Sequence, residues 1–296
     1  MPDYRRKPEF GVSVEPLADP PDHASGVAKA ADRGGLDLVG IQDHPYQRRF
    51  LDTWTLISTL VPVTENVRFF PDVANLPLRP PAMLAKAAAS LDILSGGRVE
   101  VGLGAGAFWD AVVGMGGPRR SPGEAVRSTE EAIEVMRLVW SGERALRLEG
   151  EFYSLRGMRP GPPPAHDIGI WVGAYGPRML GLIGRKADGW VPSFGYSPPG
   201  RLPGMHARID EGAAEAGRDP SEIKRVYNVS GSIGPGGEGP LEGPVGKWVE
   251  TLARFVVEDG MDTFVFWPAR DHERQTGLFA AEVVPAVREA VEAARS

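Results

Sequence analysis

The sequence predicts a (β/α)8 TIM barrel, an α/β fold of eight parallel strands, each followed by a helix. Three observations carry this. Strand-like and helix-like segments alternate in eight successive pairs along 296 residues. Segments such as "IGIWVG" and "TFVFW" are apolar on both faces, as parallel strands covered by helices should be. The length suits roughly 250 residues of barrel plus one insertion. A doubly wound open sheet shares the alternation, and the count of eight favours closure. The whole chain, 1–296, reads as a single domain.

The elements follow in order. "FGVSVEP" (10–16) is a strand, and a helix over about 22–34 stops at Gly34 and Gly35. "LDLVGIQ" (36–42) is the second strand, and "FLDTWTLISTLVPVT" (50–64) is helical, with apolar residues three and four apart. "VRFFPDVAN" (67–75) is a strand entering a loop. "PPAMLAKAAASLDILS" (80–95) is a helix with proline in its first turn and a Gly-Gly stop. "RVEVGLGAG" (98–106) runs into glycines, and 121–142 holds a long amphipathic helix. The alternation then breaks at 145–166, a hairpin or extended excursion with a proline-rich connector. It resumes with strands at 168–174, 189–193, 223–233 and 262–268, and helices near 177–187, 203–217, 243–260 and 275–294.

Composition narrows the function. Hydrophobic content of 42% and charged content of 24% are those of a soluble globular protein. A net charge of −6 argues against a nucleic-acid or anionic-membrane surface. The chain has no cysteine, which removes disulfides, thiolate metal sites and cysteine nucleophiles together. No apolar run is long enough to span a membrane and the start is not a signal peptide, so a cytoplasmic location is expected. The histidines His23, His44, His166, His206 and His272 show no metal-ligand spacing, so no metal is expected.

Barrel enzymes place their chemistry at the C-terminal ends of the strands. After strand two, "QDHPYQRR" (42–49) would put Asp43, His44 and Tyr46 into the mouth. A histidine there can carry a proton, or simply satisfy loop backbone. After strand three, Asn75 offers both donor and acceptor to a heteroaromatic edge, or serves as a turn residue. After strand four, "GLGAGAFWD" (102–110) lets backbone approach a flat ligand between the walls Phe108 and Trp109. After strand five, "GAYGPR" brings Gly173, Gly176 and Pro177 to a helix start. Glycine there permits positive φ; equally, a helix N-terminus reached through glycines presents free N–H groups to a phosphate, with Arg178 adding charge. Trp190, Ser193, Phe194 and Tyr196 fall near the next strand end. Segment 107–122, with Arg119 and Arg120, reads as a long loop or a mobile lid. No lysine stands at a strand mouth for Schiff-base chemistry, which disfavours an aldolase-like lyase.

"GLDLVGIQDHPY", "NLPLRPPAMLAKAAASLDILSGGRVEVGLGAG" and "GAYGPRMLGLIGRKADGW", in this order, resemble the bacterial luciferase-like flavin-dependent oxidoreductases, the luciferase-like monooxygenase superfamily. The likeness runs over about residues 10–270, and "QDHPY" with "GLGAGAFWDAV" is more similar to the branch that uses coenzyme F-420. The resemblance implies a barrel with an insertion after the fourth β/α unit, FMN or deazaflavin F-420 at the mouth, and a homodimer. It implies that Gly173, Ala174, Gly176, Pro177 and Arg178 surround the cofactor phosphate. It further implies that Asp72, Val73, Ala74 and Asn75 face the ring, with a non-prolyl cis peptide at Asp72–Val73. Gly104, Ala105 and Gly106 would line the ring's other side. His44 would lie near the reactive edge, supported by Asp43 and Tyr46, with Phe108, Trp109 and Trp190 around the substrate. One departure stands out. Related deazaflavin-dependent sugar-phosphate dehydrogenases carry a glutamate just after the strand-four glycines, where this chain has Ala107, Phe108 and Trp109. The expected function is hydride transfer between F-420 and a small organic substrate. The alternatives are an FMN-dependent monooxygenase fed by a partner reductase, and a non-catalytic flavin-binding barrel.

Overall fold

A computed structural model describes residues 3–296. Eight parallel strands form the barrel wall: β1 (Glu9–Val14), β2 (Leu38–Ile41), β3 (Arg68–Pro71), β4 (Val101–Gly104), β5 (Ile170–Gly173), β6 (Gly189–Trp190), β7 (Lys224–Ile233) and β8 (Thr263–Pro268). Each pairs in parallel with its neighbours, and β8 returns to β1. The ring closes between β3 and β4, where Phe69 donates to Arg98 O and Glu100 donates to Phe69 O, both at 2.9 Å. A two-residue continuation of β3, Ala74–Asn75, lies beside Leu103–Gly104 of β4.

Side-chain alternation divides the core in two. Outward residues such as Phe10, Val12, Val39, Phe69, Leu103, Val172, Tyr227 and Phe266 pack under the helices. Inward residues Leu38, Phe70, Trp171, Val191, Val226 and Val265 form a separate cluster that fills the barrel. Bulky rings in so narrow a space require small neighbours. A Cβ on Gly102 would lie 2.1 Å from Pro71 O, and one on Gly11 would lie 2.6 Å from Leu38 O. Backbone cannot yield as a side chain can, so Gly102→Ala is expected to cost about 1–3 kcal/mol through overpacking. A urea unfolding midpoint equal to that of the wild type would contradict this.

The N-terminal end is closed by charge. Arg68 bridges Glu9 and Glu100 at 2.7 Å each, and Lys224 reaches Glu9 at 2.5 Å. Lys224 also sits over the Trp171 ring, 5.2 Å from its centroid. Burial alone would raise the Glu9 carboxyl, but Lys224 and Arg68 outweigh it and hold it below the ordinary range.

Several elements differ from expectation for identifiable reasons. The helix expected over 50–64 runs as Thr53–Leu60, then tightens into a 3-10 turn at Val61–Val63 that contains Pro62. The strand expected over 67–75 is interrupted between Pro71 and Ala74, with the cis peptide at Asp72–Val73 that the resemblance implied. Segment 107–122 holds a short helix, Trp109–Gly114, tied back by an Arg119–Asp110 ion pair. The terminal helix starts earlier, at His272, and passes through a π-turn at Phe279–Val283 just before Pro285, whose missing N–H the wider turn absorbs. Residues 145–166 contain the antiparallel hairpin Leu146–Glu149 and Ser154–Met158, between helix Pro122–Trp140 and β5. Among the described residues no helix is long and apolar enough to cross a membrane.

Candidate active site

Five of the buried polar atoms without partners lie together at the C-terminal end of the barrel. Ser13 Oγ, Asp72 Oδ2, Asn75 Oδ1, Asn228 Oδ1 and Trp267 Nε1 are inaccessible to solvent and make no hydrogen bond. All five residues lie on or just past β1, β3, β7 and β8. Buried polar groups in proteins are almost always paired, so a cluster of orphans at one end marks a surface that a polar ligand completes. Two concavities, about 490 Å³ beside Arg137 and Arg185 and about 770 Å³ beside His23 and His272, lie elsewhere on the surface. In the first, the cations are already committed to Asp188 and Glu215.

Asp43 is the structural keystone of the mouth. Its buried carboxylate accepts from Arg79 Nε at 2.5 Å and Nη2 at 2.6 Å, and from the Asn75 N–H at 2.9 Å. Arg79 also reaches Asp52 at 2.6 Å. The loop after β2 is thereby fastened to the loop after β3. Asp43 holds Asn75 in place and has no free face for a substrate.

His44, next along, is half-buried, and its ring nitrogens make no protein hydrogen bond among the described residues. The ring stacks on Tyr46 at 5.5 Å and 17°, and meets Phe108 edge-on at 5.8 Å. Burial lowers the imidazole pKa, and the Asp43 charge only partly opposes this, so His44 is neutral at neutral pH. Burial likewise raises the Tyr46 phenol.

Phe108 is exposed and adopts φ 53°, a left-handed geometry uncommon outside glycine, at the start of the short helix. Trp109 does not stand open as a wall: a Cβ on Gly106 would touch its ring at 2.7 Å, so the indole covers Gly106. Gly104 and Gly173 face Val73, with ideal Cβ positions 2.8 and 3.2 Å from its Cγ2, while Ala105 and Ala174 flank them. Trp190 is fully buried in the outer layer, where its indole donates to Ala174 O at 2.9 Å. The structure therefore places it behind the strand-five turn rather than at the mouth, because its position on β6 alternates outward with Val172.

At that turn neither Gly173 nor Gly176 has positive φ; Gly176 is extended at φ −88°, ψ 144°. Conformational freedom is thus not the reason for these glycines. Gly173 packs closely on Val73, whereas a Cβ on Gly176 would meet open space, so no protein contact requires glycine there. The helix Pro177–Lys186 begins there without a side-chain cap, so its first N–H groups are free, and Arg178 is exposed beside them. An uncapped helix start with a free guanidinium suits a phosphate, and the orphaned atoms suit a polar ring. The residues present fit a phosphorylated planar cofactor.

Sequence reasoning did not single out Asn228, Ser13, Trp267 or Tyr175 for the site. Tyr175 is half-exposed and meets the Tyr196 ring at a tilt, 5.3 Å between centroids. The legible signal was Asn228, a lone amide inside the apolar run "RVYNV".

The sequence profile of the family described as luciferase-like monooxygenase matches residues 7–238. The chain is 33% identical over 216 residues to 5,10-methylenetetrahydromethanopterin reductase of Methanolobus tindarius, covering 72% of this chain and 62% of the relative. It is 29% identical over 240 residues to F-420-dependent glucose-6-phosphate dehydrogenase of Microbacterium testaceum, covering 79% and 70%. Its fold superposes on an F-420-dependent secondary alcohol dehydrogenase, solved with an F-420–acetone adduct, with a TM-score of 0.86 at 22% identity, over 95% of this chain and 99% of that one. The chain belongs to the luciferase-like monooxygenase family and is an oxidoreductase of luciferase-like type.

Proposed function

We propose that the protein binds coenzyme F-420 and moves a hydride between it and a small organic substrate. The observation that carries this is the pairing of an uncapped helix start at Gly176–Arg178 with a ring of orphaned polar atoms at the barrel mouth. The F-420-dependent relatives support the choice of cofactor. In this reading Gly173, Ala174, Gly176, Pro177 and Arg178 take the phosphate. Asn75, with the backbone of Asp72–Ala74, and Gly104–Gly106 take the ring. The bound deazaflavin supplies hydride chemistry. The chain's own contribution is to orient the partners, exclude water and handle one proton.

His44 handles that proton. Because burial holds it neutral, a free ring nitrogen accepts the hydroxyl proton as an alcohol is oxidised, and returns it in reduction. Tyr46 fixes the ring by stacking. We expect His44→Ala to lower turnover by roughly 10²–10⁴-fold with little change in cofactor affinity. Oxidation by the wild type should weaken only below about pH 6.5, because an unperturbed imidazole is half-protonated there and burial shifts His44 lower. Unchanged turnover in the variant would remove His44 from the mechanism.

The substrate is less polar than a sugar phosphate in this reading. Ala107 stands where a glutamate was expected for that class, and exposed Phe108 borders His44. The second reading, an FMN-dependent monooxygenase served by a reductase, draws on the family's own description. Fluorescence titration with F-420 and FMN separates the two, since preference for FMN would move the protein to oxygen chemistry. Tight binding of either without turnover across a broad substrate panel would favour a non-catalytic barrel. A homodimer is the expected assembly, read by sedimentation.

A further inference from the structure

Asp72 is an acid in an unusual position. Its side chain points into the barrel: a Cβ on inward-facing Gly40 would lie 3.2 Å from Asp72 Cβ. The residue is 7% exposed, and its one side-chain bond comes from Asn228 Nδ2 to Oδ1, at 3.1 Å. Oδ2 has no partner. The groups around it are Gly40 on β2, Phe70 and Val73 by β3, Asn228 on β7 and Tyr175 after β5. Tyr175 is the only titratable group among them, and its phenol is itself raised, chiefly by burial. Asp43 is neutralised by Arg79. Among the described residues no cation offsets a charge on Asp72.

A buried carboxyl with one neutral donor and no cation keeps its proton rather than its charge. Desolvation accordingly pushes Asp72 up to about 7, against a small opposing effect from the Asn228 bond. A protonated carboxyl differs from a carboxylate in what it recognises: it donates. Of the other orphans at the mouth, Asn75 Oδ1 and Asn228 Oδ1 accept, Trp267 Nε1 donates and Ser13 Oγ can do either.

We propose that Asp72 is a proton-bearing hydrogen-bond donor at the floor of the mouth, and that an electron-rich or anionic heteroaromatic ring binds there only while Asp72 is neutral. This rests on the cofactor reading above and adds to it a condition set by the side chain of Asp72 itself. Ionisation would place an unpaired negative charge under the ring, in a medium where like charges repel strongly. The permanently neutral isostere should therefore bind at every pH.

The test is the dissociation constants of FMN and F-420 from pH 5.5 to 9 for wild type, Asp72→Asn and Asp72→Ser. Expected is wild-type affinity that falls with rising pH, approaching tenfold per unit above the Asp72 titration, and a flat profile for Asp72→Asn. Parallel profiles, or loss of binding at pH 5.5 in the Asn variant with Asp72→Ser unaffected, would overturn the proposal. Urea unfolding of the unliganded proteins gives a readout that needs no cofactor. Relative to Asp72→Asn, the wild type should lose stability as pH rises from about 4 through neutrality, because the native state alone keeps the proton there. A pH-independent difference means that Asp72 is not a neutral acid. If neither ligand binds wild type at any pH, the cofactor reading falls and takes the binding half with it, while unfolding still decides the protonation half.

Discussion

Asp43→Ala is expected to cost about 3–5 kcal/mol of folding stability and to abolish cofactor binding, although Asp43 itself contacts no ligand in the proposed site. Its side chain is fully buried, and it is the sole acceptor for three donors: two from Arg79 and one from the Asn75 backbone. Removing it strands a largely buried guanidinium with only the half-exposed Asp52 as partner. It also leaves a buried N–H unsatisfied at the residue proposed to face the ring. Both losses follow from the one substitution, and within a shared network they are coupled rather than additive. The check is a double-mutant cycle with Arg79→Ala, followed by urea unfolding. If Asp43→Ala alone cost less than about 1 kcal/mol, the tie between the two loops would not be what orders Asn75.

The second large effect is expected at the strand-five turn. Arg178→Glu should weaken FMN and F-420 binding by roughly 100-fold, since a charge-assisted bond contributes about 1.5–3 kcal/mol and reversal adds repulsion. Folding should be unaffected, because the side chain is exposed at a helix start and makes no ion pair among the described residues. The control is riboflavin, which lacks the phosphate. Its affinity should be the same for both proteins, and an equal loss for riboflavin and FMN would place the phosphate elsewhere.

Much of the fold could be read from periodicity. "VRFFP" and "TFVFW" alternate ring-in and ring-out around small residues, and the Gly-Gly after helix Pro81–Ser95 ends it with left-handed Gly96. Tertiary detail was not legible. Nothing local marks Asp43 as a tie between two loops; that depends on Arg79, thirty-six positions away. Trp190 looked like a pocket wall because it follows a strand end, but its face is set by pairing with Val172, which sequence cannot register. The glycines of the strand-five turn could be seen, but not their setting, since close packing, positive φ and open space all leave the same letter. Asn228 and Asp72 were visible as polar residues in apolar strands, yet their meeting across the barrel required the closed ring.

The charged seal of Glu9, Arg68, Glu100 and Lys224 has a kinetic consequence. Above that seal Leu38, Phe70, Trp171, Val226 and Val265 fill the barrel, so a ligand has only the mouth as its doorway. Two guests that share it must queue: the one seated deeper enters first and leaves last. In the proposed reaction the ring lies against Asp72 and Asn75, below the outer rim formed by Phe108 and Tyr196. Substrate then arrives second and product departs first, so the order of binding is written into the end of the barrel farthest from the chemistry.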